Sequence, residues 1–197
     1  MTNDSALLIV DVQNDFCPGG ALGVTEGDLV VPVLNRYIEL FTTQGLPVFA
    51  TRDWHPAMTS HFKAFGGVWP VHCVQGSTGA AFHPDLKLPP HAVIISKGMD
   101  PSRDDYSALH GIAPDGTPLP DLLRQHGVRK VYVGGLATDY CVKESVLEGI
   151  ARGFTMVYLA DACRGVNLQP EDTEKAEAEM ARAGAGTASL VELAAKG

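Results

Sequence analysis

The stretch KVYVGGLATDYCVKESVLEGIARGFTMVYLA, residues 130–160, decides how the chain is built. KVYVGG (130–135) is a short branched run that is apolar on both faces, the pattern of a strand covered on both sides. TDYCVKESVLEGIARG (138–153) reads as a helix stopped at a glycine, and TMVYLA (155–160) as a second buried strand. Strand, helix and strand in succession make a parallel unit with a right-handed crossover.

Working outward, the same rhythm recurs. ALLIV (6–10), PVFAT (47–51) and AVIIS (92–96) are further buried strands, with a weaker one in TASLVEL (187–193). LVVPVLNRYIELFTTQG (29–45) sets Val33, Tyr37, Leu40 and Phe41 on one helical stripe, with Gly45 as its stop. PLPDLLRQHG (118–127) ends the same way, and QPEDTEKAEAEMARAG (169–184) is rich in helix formers with a solvated face. The pattern predicts an α/β fold, one domain over residues 1–197, with an open parallel sheet between two layers of helices. Residues 53–91 and 97–117 break the rhythm, and loops of that length in a compact domain are usually functional.

Composition excludes several classes. The 197 residues carry 15 Lys plus Arg against 23 Asp plus Glu, a formal charge of −8, so no basic face is available for nucleic acid. No apolar run reaches the ~18 residues that a membrane span needs. The opening MTNDSALLIVD has no basic segment before its apolar residues, so a cytoplasmic protein without a signal peptide is expected. Cys17, Cys73, Cys141 and Cys163 are scattered without a CxxC and read as free thiols. The sequence is equally compatible with a monomer and a homo-oligomer; the expected partner is a small molecule.

The strand ends carry the chemistry. LLIV runs into Asp11, VFATR into Asp53 and then His55, VIIS into Lys97, and KVYVGG toward Cys141. In an open parallel sheet these ends share one edge, where ligands bind. With Thr138 as helix cap, Cys141 falls in the first turn, where unpaired N–H groups and the helix dipole lower a thiol pKa. The N–H groups of Ala137 and Cys141 are then placed to receive an oxyanion. Two readings of Cys141 stand at this point, a nucleophile and a buried structural cysteine. Asp11 is the candidate base for it, with Lys97 as the cation that makes a buried Asp–Cys pair tolerable; Asp11 and Lys97 also read as a structural ion pair. In TRDWHPAMTSHFKAFGGVWPVHC (51–73), Asp53 and His55 are two apart in extended chain, and His61 and His72 follow. Asp with histidines suits one divalent ion, Zn2+ first, with Fe2+ or Mn2+ as alternatives. His83, His91, His110 and His126 have no such pattern.

DVQNDFCPGG, TRDWHP, PVHCVQGSTGAAFHPDL, SKGMDPSRDDYSAL and GGLATDYCV, in this order, resemble the nicotinamidases of the cysteine-hydrolase group that also holds the isochorismatases. The resemblance spans essentially the whole chain. It implies a six-stranded parallel sheet between helices and a triad of Asp11, Lys97 and Cys141. It implies a metal site of Asp53, His55 and His72, with His61 as a further ligand, and a cis peptide at Leu136–Ala137. Phe16 would lie against the substrate ring, with Trp69, Leu136, Tyr140 and Tyr106 lining the pocket. The implied reaction is hydrolysis of nicotinamide to nicotinate and ammonia through a cysteine thioester, in NAD salvage, with pyrazinamide as a side substrate. Group members that act on isochorismate or N-carbamoyl sarcosine lack the metal set. The rival readings are a metal-independent cysteine hydrolase of another small amide or isochorismate-like substrate, and a thiol redox or binding protein.

Overall fold

The computed structural model describes residues 1–195, so positions 196 and 197 of the expected single domain lie outside the described residues. Eleven main elements follow in chain order: β1 (Ser5–Val10), α1 (Val30–Thr43), β2 (Val48–Asp53), β3 (Val93–Lys97), α2 (Leu119–Gln125), β4 (Lys130–Leu136), α3 (Lys143–Ala151), β5 (Thr155–Arg164), α4 (Asp172–Arg182), β6 (Gly186–Ala188) and α5 (Leu190–Ala194). The six strands form one sheet in the order β3-β2-β1-β4-β5-β6. Every pairing is parallel.

β1 lies at the centre, and all its residues are buried. Alternation divides them between two cores: Leu7 and Ile9 pack toward α1 and α5, while Ala6, Leu8 and Val10 pack toward α2, α3 and α4. That is the double coverage that requires strands apolar on both faces. The face of α1 that enters the core is Val30, Val31, Leu34, Tyr37, Ile38 and Phe41. Val33 and Leu40, expected on that stripe, sit half-buried at its rim. The Tyr37 hydroxyl donates to Asp161 Oδ1 (2.7 Å), and Asp161 Oδ2 accepts from the Leu190 N–H (2.8 Å). One carboxylate thus ties α1 and the start of α5 to β5.

Two expectations need correction. TASLVEL is not one strand: β6 ends at Ala188, and Leu190–Ala194 is helical. Ser189 and Glu192 form a reciprocal capping box that starts a helix where β-branched propensity alone suggests continuation. The segment after β4 does not enter an α-helix directly either. Thr138–Val142 forms a π-helical turn, with Val142 N–H donating to the Ala137 carbonyl (3.1 Å), and α3 begins only at Lys143. No helix among the described residues is long and apolar enough to cross a membrane.

The strand order reverses direction between β1 and β4, so a crevice opens at the C-terminal ends of those two strands. Gly135 makes their close approach possible. It has φ of 129°, and a Cβ there would stand 2.1 Å from the Val10 carbonyl oxygen. Gly135→Ala combines a left-handed backbone with a backbone clash and should lower unfolding free energy by about 3 kcal/mol or more, read from urea denaturation at unchanged m-value. A loss below about 1 kcal/mol would show that β4 can move away from β1.

Candidate active site

The ends of β1, β2 and β3 deliver Asp11, Asp53 and Lys97 side by side because these strands are neighbours in the sheet. Asp53 is in register with Lys97, and Asp11 leaves β1 with φ of 48°. Lys97 is buried completely at its side chain. Its Nζ lies 2.9 Å from Asp11 Oδ2 and pairs with Asp53 Oδ1. It also lies 3.4 Å from Cys141 Sγ and donates to the Asp105 carbonyl (3.3 Å). Asp11 Oδ1 accepts from the Thr51 hydroxyl (2.6 Å). Ligating atoms of Asp11, Asp53 and Cys141 lie within 4.8 Å of one another. The peptide Leu136–Ala137, just ahead of the turn that carries Cys141, is cis.

Burial sets the electrostatics. It pushes the Cys141 thiol well above its ordinary range; Lys97 opposes this, and Asp11 and Asp53 add to it. The expectation of a thiol lowered by a helix terminus is therefore corrected, because desolvation beside two carboxylates outweighs the turn's dipole. Burial likewise raises Asp11, with Lys97 opposing and Asp53 adding. Burial also disfavours ionised Asp53, yet the Lys97 ammonium outweighs it and that carboxyl lies well below the usual range. For Lys97, burial disfavours the ammonium, and the two aspartates more than compensate, holding it well above its ordinary value.

The second half of the site stands against the other side of Asp53. His55, His61 and His72 are buried, and their ligating nitrogens lie within 4.8 Å of one another. His55 Nδ1 donates to the Gly98 carbonyl (2.9 Å) and His72 Nδ1 to the Pro70 carbonyl (2.8 Å), while His61 Nδ1 donates to the Asp104 carboxylate. With each Nδ1 carrying its proton, each Nε2 keeps a lone pair for a metal. His55 Nε2 is buried with no hydrogen-bond partner, 3.6 Å from Asp53 Oδ2. Burial pushes His72 down to about 4 and also lowers His61, so the neutral, ligating form is favoured. An orphaned buried nitrogen on His55, neutral His61 and His72 and a fixed carboxylate fit a divalent cation.

Both halves open into one pocket lined on its apolar side by Phe16, Trp69, Tyr106, Leu136 and Tyr140. Trp69 Nε1 donates to the Tyr106 hydroxyl (2.9 Å) and its ring meets Tyr140 edge-on at 5.1 Å. Phe16 packs against His72 at 5.5 Å. Every residue singled out from the sequence for catalysis, metal or pocket lies at this crevice. Cys17, Cys73 and Cys163 are buried free thiols outside the Asp11–Lys97–Cys141 cluster. His110, which carries no sequence pattern, meets Asp105 (3.1 Å) and Glu148 (3.1 Å).

The isochorismatase domain model matches residues 5–191. The chain belongs to the isochorismatase family. It is 44% identical to the nicotinamidase of Escherichia coli (strain K12) over 95% of each chain. The pyrazinamidase of Pyrococcus horikoshii in complex with zinc superposes with a TM-score of 0.87 at 44% identity, covering 95% of this chain and 99% of that one. PnC1 from L. infantum in complex with nicotinate gives 0.85 at 32% identity, over 98% and 96%.

This isochorismatase-family site also uses residues that sequence reasoning passes over. Gln13, fully buried, accepts from the Asp53 N–H (2.8 Å) and donates to the Asp53 and Ala80 carbonyls (2.8 and 2.9 Å), fixing the strand end that bears the shared carboxylate. It lies in DVQNDF, two residues after Asp11, so its one signal is a polar residue facing inward beside a buried carboxylate. Asp139 accepts from the Val166 and Asn167 N–H groups (2.8 Å each) and holds Val166 in the pocket wall with Leu22 and Val24. Those apolar residues have no local signal, because their neighbours in the site are distant in sequence.

The opposing charges around Cys141 can be separated. Lys97→Met removes the cation that lowers the thiol, so iodoacetamide alkylation of Cys141 should move to higher pH, with the rate at a fixed neutral pH falling by about tenfold or more. Asp11→Asn removes a group that raises the thiol and should move the profile to lower pH. Identical pH–rate profiles in the two variants would contradict this arrangement.

Proposed function

We propose that this chain is a nicotinamidase, hydrolysing nicotinamide to nicotinate and ammonia through a thioester on Cys141, in cytoplasmic NAD salvage. The observation that carries this reading is the placement of the Asp11–Lys97–Cys141 cluster and the three-histidine cluster on opposite sides of Asp53 in one aromatic pocket. A metal-independent hydrolase has no use for three buried imidazoles held in the ligating tautomer. The nicotinamidase and nicotinate-bound relatives support the same substrate class.

Asp53, His55 and His72, with His61 as a further ligand, hold the ion, which we assign as Zn2+ on the nitrogen-rich donor set and the zinc-bound relative. When bound, it supplies a Lewis acid to which a pyridine nitrogen can coordinate. Phe16, Trp69, Tyr106, Leu136 and Tyr140 enclose the ring and exclude water. Asp11 takes the Cys141 proton as Sγ bonds to the amide carbon, and the N–H groups of Ala137 and Cys141 hold the oxyanion. The C–N bond then breaks, and Asp11 returns the proton to the leaving nitrogen, which departs as ammonia. A water adds to the thioester with its proton passing to Asp11, and the C–S bond breaks as the thiol is regenerated. Burial raises Asp11 and so favours its carrying that proton between steps, while the buried Lys97 ammonium compensates the charge each time Asp11 is ionised.

Cys141→Ala should bind metal like the parent chain yet release no ammonia from nicotinamide, measured by metal analysis beside a coupled ammonia assay. Turnover above about 1% of the parent would remove Cys141 as nucleophile, since loss of a covalent route costs far more than tenfold.

Benzamide tests ring recognition, because it keeps the carboxamide and replaces the pyridine nitrogen with carbon. It should lose about 10²-fold or more in kcat/KM, roughly 3 kcal/mol for one unmade polar bond, while pyrazinamide stays within about tenfold of nicotinamide. Removal of the ion by chelation should raise KM for nicotinamide steeply. Comparable efficiency on all three rings would leave a cysteine amidase whose metal takes no part in binding.

A further inference from the structure

The three histidines differ in what holds them. His55 and His72 donate through Nδ1 to backbone carbonyls, of Gly98 and Pro70, which no substitution at those positions removes. His61 alone depends on a side chain, the carboxylate of Asp104, which is 47% exposed. The His61 backbone is held on both sides, its N–H reaching the Thr59 hydroxyl (3.3 Å) and its carbonyl accepting from the Trp69 N–H (3.3 Å), but neither bond touches the ring. The segment around it is attached to the chain after β3 at Pro101, whose carbonyl accepts from the Ser60 N–H (2.8 Å) and the Thr59 hydroxyl (3.3 Å). The stretch from Gly98 to Tyr106 therefore reaches His55, His61 and, through Tyr106, Trp69.

Resting on the metal site of the proposed function, we infer that Asp104 is a positioning residue for His61, fixing its Nδ1–H tautomer and ring orientation so that Nε2 serves as a metal ligand. A carboxylate behind an imidazole also raises its basicity as a donor, and removing such a partner typically costs about 10–100-fold in metal affinity. The His61 ring is stacked on His55 at 4.6 Å, so aromatic packing alone does not select which nitrogen faces inward. The Asp104 carboxylate does, because only a protonated Nδ1 can donate to it.

The test measures Zn2+ affinity by chelator competition in the parent chain, Asp104→Ala, His61→Ala and the double variant, with thermal unfolding as a check on folding. Asp104→Ala should weaken Zn2+ by about 10–100-fold in the parent background and by less than about twofold when His61 is already alanine. The visible absorption of the Co2+-loaded Asp104→Ala chain should shift toward that of His61→Ala. An unchanged Zn2+ affinity in Asp104→Ala overturns the inference. An equal loss in both backgrounds also overturns it, since Asp104 would then be acting on the loop and not through His61. A parent chain that takes up no Zn2+ would instead remove the metal reading beneath it.

Discussion

A lysine ammonium without solvent governs this molecule. Lys97 has no exposed side-chain surface, and an isolated charge in that position would cost several kcal/mol. Two carboxylates, a carbonyl and a thiol surround it, and the sheet sets the two carboxylates against it. Because β2 lies between β1 and β3, Asp53 sits next to both Asp11 and Lys97, and the cation is shared by the ends of adjacent strands. No loop closure has to bring these groups together; strand pairing does. The same strands must be buried on both faces for the site to be dry, which explains why a run such as ALLIV holds no polar residue before Asp11.

Asp53 is the second constraint, since it belongs to both halves of the site. One oxygen is committed to Lys97 and the other faces His55. Gln13 fixes the backbone from which that carboxylate springs, and Lys97 holds its Oδ1. Without Lys97 it would be a buried anion in need of protonation; without the histidines its second oxygen would be desolvated with nothing to face. Its low pKa follows from the Lys97 ammonium acting against desolvation.

Much of the site is legible in sequence because the informative residues sit at strand ends, where a buried apolar run stops at a charge. Asp11, Asp53 and Lys97 announce themselves this way, and the D-x-H spacing adds His55. What is not legible has a common cause. Asp104, Asp139 and Thr51 act on groups distant in sequence through contacts that only the folded chain creates, and a lone Asp in a loop or turn, or a lone Thr in a strand, carries no local mark. Element boundaries differ for another reason. Propensity makes TDYCVKES an α-helical start, whereas the Ala137 carbonyl takes the N–H groups of Tyr140 and Val142 (3.1 Å each) in a π-helical turn and the α-helix begins at Lys143. The split of TASLVEL does carry a sequence mark, the Ser-x-x-Glu of its capping box.

The topology then explains why the nucleophile and its base come from opposite halves of the chain. In the order β3-β2-β1-β4-β5-β6, the connections leaving β1 and β4 run to opposite sides, so the space above their C-terminal ends is not filled by a crossover. Asp11 leaves one strand at that point and the turn bearing Cys141 leaves the other. A thiol on the first half would share a strand edge with the metal ligands and compete with Asp53 for the same ion. On the turn after β4 it meets the carboxylates across the crevice, near enough to Lys97 for charge compensation and on the other side of Asp53 from the histidines. The fold thus keeps a soft metal ligand and a histidine cluster within one pocket while assigning each to a different wall.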